Sequence, residues 1–296
     1  MINLLKSIYK HVKFSLARDL IECYELGSEA KEWVLPRNLP ADNADSCVPA
    51  AMLGDSGLDL NISKQLEKLR YWREHYKPYF EAVRRDPNIN TWFMGKDYLH
   101  NGYYPTPDAE IYSAMILDHK PSRIIEVGSG FSTLIAKKTV ETAHMDTAIE
   151  AIDQAPRTDV AQAVDKVMLQ YVEDVAIDEI NITKETLLFI DSSHICRASG
   201  DIPYLFCQII PRLPSGVIVH VHHIFMPYDY PVIYKRRMYT EQYVLHALLA
   251  HSPRYKILFT SHYMSRSYLH EMQETFGSIV GTDKLFWGAS IWFQVT

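Results

Sequence analysis

The residues best suited to chemistry are Glu126, Asp153, Asp174, Asp191, His194, His222 and His223, because each stands at or just beyond the end of a short apolar run. Histidine is the usual proton acceptor near neutral pH, which makes His194, His222 and His223 candidate bases. The competing reading of each is a hydrogen-bonded structural ring, and for His220, inside its run, that reading is preferred. Lys235-Arg236-Arg237 either clamps an anionic group or forms a solvated face.

The stretch that organises these positions is RIIEVGSGFST, Arg123 to Thr133. Ile124, Ile125 and Val127 read as a strand buried on both faces, with Glu126 set into it. Gly128-Ser129-Gly130 breaks the strand, and Ser132 and Thr133 can cap a helix through LIAKKTV. Strand, glycine turn and helix N-terminus make a nucleotide cradle. A dinucleotide fingerprint would place a glycine where Thr133 stands, and a pyrophosphate gains nothing from Glu126. That carboxylate suits a ligand bearing positive charge.

Downstream the chain alternates strands and helices, which predicts a parallel sheet covered on both faces. TAIEAID ends in Asp153, 23 residues beyond Gly130, a spacing that suits a carboxylate on ribose hydroxyls. VMLQYV leads to Asp174, LLFIDSSH carries Asp191 and His194, and GVIVHVHH ends in His222-His223. Helices follow over about Ile202 to Leu213, through TEQYVLHALLAH, and over Arg266 to Phe276. YKILFTS is a sixth strand, and GASIWFQVT fits a seventh, antiparallel one. In such a sheet ligands bind beyond the carboxyl ends of the strands.

With these motifs in place, the chain resembles the class I S-adenosylmethionine-dependent methyltransferases, and most of all a bacterial group with the pattern E-V-G-S-G-[FY]-S-T. The third glycine of the commoner motif is Ser132 here, a departure that the group shares. IDSSH, HVHHIFMPYDYP and EQYVL extend the resemblance over about Asp108 to Thr296. It implies a Rossmann-like α/β fold with a seven-stranded, mostly parallel sheet and an antiparallel last strand. It implies S-adenosylmethionine as cofactor, held by Glu126, Gly128, Gly130, Ser132, Thr133, Asp153, Asp174 and Asp191, with Asp174 at the adenine amino group. The acceptor would be a small molecule, methylated at a hydroxyl oxygen with His194, then His223 or His222, as base. Related O-methyltransferases hold a divalent ion with acids at the ends of the fourth and fifth strands, and the matching positions are Asp191, His222 and His223. The group usually has an Asp where His223 stands. One carboxylate and two imidazoles suit a transition ion better than Mg, and no metal is the preferred reading. Alternatives are a non-catalytic cofactor-binding or assembly protein of the same fold and an NAD-dependent oxidoreductase. Glu126 and the missing third glycine count against the oxidoreductase.

A net charge of −6 over 296 residues disfavours nucleic acid as partner. Cys23, Cys47, Cys196 and Cys207 show no metal or disulfide spacing and read as thiols in the cytoplasm. Leu4, Leu5, Ile8, Val12, Leu16 and Leu20 recur at helical spacing, an amphipathic helix that packs on its own domain or builds a homodimer rather than inserting in a membrane. The expected division is a helical N-terminal extension, residues 1–105, and a cofactor-binding domain, residues 106–296. The aromatic run TWFMGKDYLHNGYYPTPDAE between them is a candidate lid.

Overall fold

The computed structural model describes residues 57–85, 104, 106–156, 160–231, 234, 237–277 and 288–296. The helix expected over residues 1–20, most of the aromatic run before Thr106, Cys23, Cys47, Lys235 and Arg236 lie outside them. The chain divides into two units. Pro49–Tyr230 with Tyr239–Thr296 form the unit described below.

Two helices, α1 (Ile62–His75) and α2 (Lys77–Arg85), come first in this unit. The break falls at Tyr76, which puts Pro78 in the first turn of α2, where its missing N–H leaves no bond unmade. There follow α3 (Asp108–His119), β1 (Arg123–Val127), α4 (Phe131–Thr142), β2 (Ala148–Ile152), β3 (Lys166–Met168), α5 (Ile177–Ile180) and β4 (Thr186–Ile190). Next come α6 (Asp201–Tyr204), which continues in altered helical turns to Arg212, then β5 (Ile218–His222), α7 (Glu241–Leu249) and β6 (Tyr255–Thr260). The chain closes with α8 (Ser261–Ser267), α9 (Leu269–Phe276) and β7 (Ser290–Val295).

The strands form one sheet in the order β3-β2-β1-β4-β5-β7-β6. β1 pairs in parallel with β2 and β4, β2 with β3, and β4 with β5. β7 runs antiparallel between β5 and β6, as expected of the last strand in this Rossmann-like fold. The third strand is shorter than its apolar run. It ends at Met168, and Asp174 falls in a tight helical turn, Val172–Asp174, rather than at a strand end.

Strand residues alternate between two cores, because successive side chains point to opposite faces of a sheet. Ile124, Leu187, Phe189 and Ile218 pack with Leu69, Trp72, Met115, Ile135 and Phe276 from the helices on one face. Ile125, Val127, Leu188, Ile190, Val219 and Val221 pack with Ile202, Phe206 and Leu245 on the other. This alternation puts Glu126, His220 and His222 on the first face. The Gln65 side chain ties α1 to the sheet by accepting from the Thr260 N–H at 2.8 Å. Asp118 ties α1 to α3 by accepting from Lys68 Nζ (2.9 Å), Trp72 Nε1 (2.8 Å) and the Tyr76 hydroxyl (3.0 Å). No helix among the described residues is long and apolar enough to cross a membrane.

Candidate functional site

The glycine turn sits where β1 meets the ends of β2 and β4. The Gly128 N–H donates to the Ile152 carbonyl at 3.0 Å, and the Asp191 N–H donates to the Val127 carbonyl at 2.9 Å. Gly128 has φ +83, and a Cβ there would lie 2.0 Å from the Asp191 carbonyl oxygen, so only glycine lets β1 and β4 end this close together. Among the described residues, a Cβ on Gly130 would meet nothing within 4 Å. The first glycine is therefore required by the fold, and the second faces open space.

Glu126 is completely buried. Its Oε1 accepts from the Tyr112 hydroxyl at 2.9 Å, and its Oε2 accepts from Ser132 (3.3 Å) and from Thr133. The same Thr133 oxygen accepts the Gly130 N–H at 3.0 Å, which locks the turn to the first turn of α4. Burial pushes the Glu126 carboxyl up to about 7 against the opposing effect of these hydroxyl donors. Asp153 clamps the turn from the other side, accepting the Ser129 N–H (2.9 Å) and hydroxyl (3.0 Å) on Oδ2 and the Ala155 N–H (2.8 Å) on Oδ1.

The rim beyond β4 and β5 gathers the histidines around one carboxylate. Asp191 Oδ1 lies 3.3 Å from His194 Nε2, 3.4 Å from His222 Nδ1 and 3.6 Å from His223 Nε2. The His194 Nδ1 meets Glu241 Oε1 at 2.6 Å, and His222 Nε2 faces Asp108 Oδ2 at 3.6 Å. Burial penalises both charged rings. The Glu241 and Asp191 carboxylates nevertheless raise His194 well above its ordinary value, and Asp191 and Asp108 raise His222 to about 9. Burial also opposes the Asp191 charge, but the surrounding imidazoles hold its carboxyl well below the ordinary range. Asp191, His194 and His223 offer ligand-type atoms that all lie within 4.8 Å of one another. His222 approaches the same oxygen from outside that group of three.

His220 is a core ring. It stacks on Phe189 at 4.0 Å between centroids, packs against Trp292 at 4.4 Å, and pairs its Nε2 with the Tyr104 hydroxyl at 3.3 Å. Burial, chiefly, and then His222 push it down, so it stays neutral.

Glu241, Asp108 and Tyr112 were absent from the sequence-based candidates, although each contacts a candidate residue. Glu241 lies in EQYVL, a carboxylate opening an apolar helix, and Asp108 opens α3 after two prolines. A fully buried acid in the first turn of an apolar helix is a signal that could have found both. Tyr239 packs on His194 at 4.4 Å between ring centroids.

No family model matches the chain. An uncharacterized protein of Archaeoglobus fulgidus is 35% identical over 80 residues, which cover 27% of this chain and only 34% of that relative. Among solved structures, the SAH-bound methyltransferase of Podospora anserina is similar at a TM-score of 0.41 and 15% identity, over 83% of this chain and 90% of that one. The SAH complex of a Bacillus cereus O-methyltransferase is similar at a TM-score of 0.40 and 13% identity, over 79% and 99%. Likeness this loose carries no argument about activity. The strand order and the rim geometry stand on their own.

Proposed function

We propose that this chain is an S-adenosylmethionine-dependent methyltransferase acting on a hydroxyl oxygen of a small molecule. The observation that carries the reading is a juxtaposition. The buried Glu126 carboxylate and its glycine turn abut the Asp191–histidine cluster at one end of one sheet. Glu126 offers a negative charge to the ammonium of the cofactor, Gly130 leaves room for it, and Asp153 and Asp174 take its ribose and adenine. In the transfer step the acceptor oxygen attacks the methyl carbon in line, the carbon–sulfur electron pair leaves with sulfur, and the hydroxyl proton passes to a rim imidazole, His194 first and His223 or His222 after it. The gathering of His194, His222 and His223 around Asp191 supports that role.

Calorimetry with S-adenosylmethionine tests the reading. Micromolar binding is expected for the native chain and none for NAD. Glu126→Ala and Asp153→Ala each remove charge-assisted bonds worth about 1.5–3 kcal/mol, roughly a ten- to hundred-fold loss of affinity. Affinity unchanged in both variants would sink the assignment.

A second reading, a cofactor-binding protein without catalysis, is favoured by one observation. Carboxylates face both ring nitrogens of His194 and of His222 and raise both rings, which makes each a poorer proton acceptor. Turnover with any hydroxylated acceptor excludes it.

A further inference from the structure

We propose that Arg266, stacked on Tyr228, forms an oxyanion subsite beside the histidine rim, and that the methyl acceptor carries the carboxylate or phosphate it clamps. The anion preference stands on its own geometry; only its link to the acceptor rests on the methyl-transfer reading.

The fold brings both residues to the same edge as the rim. β7 runs antiparallel to β5 and to β6, so β5 and β6 point the same way and end on one edge of the sheet. Tyr228 lies in the loop leaving β5, five residues beyond His223, and Arg266 lies in α8, which begins where β6 ends. Five residues span at most about 18 Å, so one small molecule can reach from His223 to this loop.

The exposed Arg266 guanidinium sits 4.3 Å from the centre of the Tyr228 ring. Lys68 and Arg254 also lie over rings, at 5.6 and 5.9 Å, but Lys68 pairs with Asp118 and Arg254 donates to the Pro211 and Leu213 carbonyls. Among the described residues, Arg266 meets no carboxylate and donates no hydrogen bond. A stacked guanidinium turns its face to the ring and leaves its N–H edge outward, the geometry that takes a carboxylate or phosphate by two bonds at once. Burial, chiefly, lowers the neighbouring His262 to about 4 against its contact with the Gly288 carbonyl, and the Arg266 charge adds to that lowering. His262 stays neutral, and Arg266 supplies the positive charge of this corner.

The platform under the guanidinium is braced. The Tyr228 N–H donates to the Phe225 carbonyl at 3.0 Å. The completely buried Gln242 accepts the Phe225 N–H at 3.0 Å and donates to the Tyr228 carbonyl at 3.3 Å. Tyr263, three residues before Arg266, stacks on the same ring at 6.4 Å and 27°. An arginine that only solvated the surface would gain nothing from a ring locked in this way. For an anion clamp the gain is preorganisation, since less freedom is lost when the ligand arrives.

Magnetic resonance of the full chain with isotope-labelled arginine reads the Arg266 Nε–H, assigned through Arg266→Gln. Benzoate and phenyl phosphate are the probes, and benzyl alcohol is the neutral control. Either anion should move the Arg266 signal saturably, and the tighter of the two identifies the acceptor's group. Arg266→Gln should melt like the native chain and bind that anion about ten- to hundred-fold more weakly, read from the probe's own resonances. Arg266→Lys keeps the charge without the paired donors and should recover only part of the loss. The exposed Arg70 on α1 reports loose counter-ion contact. An equal shift there, an equal response to benzyl alcohol, or no response to either anion overturns the subsite. Anion binding by a chain that takes up no S-adenosylmethionine in calorimetry supports the subsite and overturns the methyl-transfer reading. S-adenosylmethionine binding with a silent Arg266 does the reverse.

Discussion

Glu126→Gln should make the ligand-free protein more stable at pH 8, although it alters the residue placed at the centre of the cofactor site. Burial raises the Glu126 carboxyl from an ordinary 4.5 to about 7 in the folded chain. Between those values the folded state holds a proton that the unfolded chain has released. Stability from this group is therefore full below pH 4.5 and is lost as pH rises to about 7, at about 1.4 kcal/mol per unit and about 3 kcal/mol in all. Glutamine keeps the shape and never ionises. Its oxygen can accept from Ser132 and Thr133, and the Tyr112 hydroxyl can rotate to accept from its amide. Urea unfolding of both proteins from pH 5 to pH 8 provides the assay. The two should differ by under about 1 kcal/mol at pH 5, and the variant should lead by about 3 kcal/mol at pH 8. Protons lost by His194 and His222 at higher pH affect both chains alike and cancel in the difference. A constant difference across the range would refute a raised Glu126 carboxyl. The same ionisation predicts that affinity for a cationic cofactor falls about tenfold per unit below pH 7, a dependence absent from the variant.

Gly128→Ala should destabilise the fold by about 3 kcal/mol or more, read as a lower melting temperature, since its Cβ would meet the Asp191 carbonyl at positive φ. Gly130→Ala should melt like the native chain but bind S-adenosylmethionine more weakly in calorimetry, because the proposed reading puts the cofactor in the open space beside it. His194→Gln should retain cofactor affinity while turnover of the methyl acceptor falls about 10²–10⁴-fold; full turnover would make the ring structural. Asp118→Ala should cost about 2–3 kcal/mol in urea unfolding, because it leaves the fully buried Trp72 N–H without its acceptor.

The sheet was legible in the chain because its strands are local apolar runs separated by turn residues, and the glycine turn announces itself between Val127 and Phe131. The antiparallel last strand was legible in the same way. Strand β3 was misjudged in length, since an apolar run can continue past the point where its neighbour stops offering hydrogen bonds. Leu169 and Tyr171 lie beyond that point and stay exposed. Glu126 read as a ligand-facing acid from its place before the glycines, but its raised carboxyl could not be foreseen. That shift follows from complete burial under Tyr112, which another element supplies.

The rim divides along the same line. Alternation along IVHVH places His220 and His222 on one face of β5 whatever the rest of the chain does. Which of the two meets Asp191, and which is sealed between Phe189 and Trp292, depends on where each strand ends against its neighbours. The pairing of His194 with Glu241 joins residues 47 positions apart. No local periodicity encodes such a contact. By itself the sequence determined which residue types line the carboxyl end of the sheet, because strand and turn propensities act over a few residues. Only the tertiary structure decided which nitrogen faces which oxygen, because those distances are set by how helices α3 and α7 pack against strands far from them in the chain.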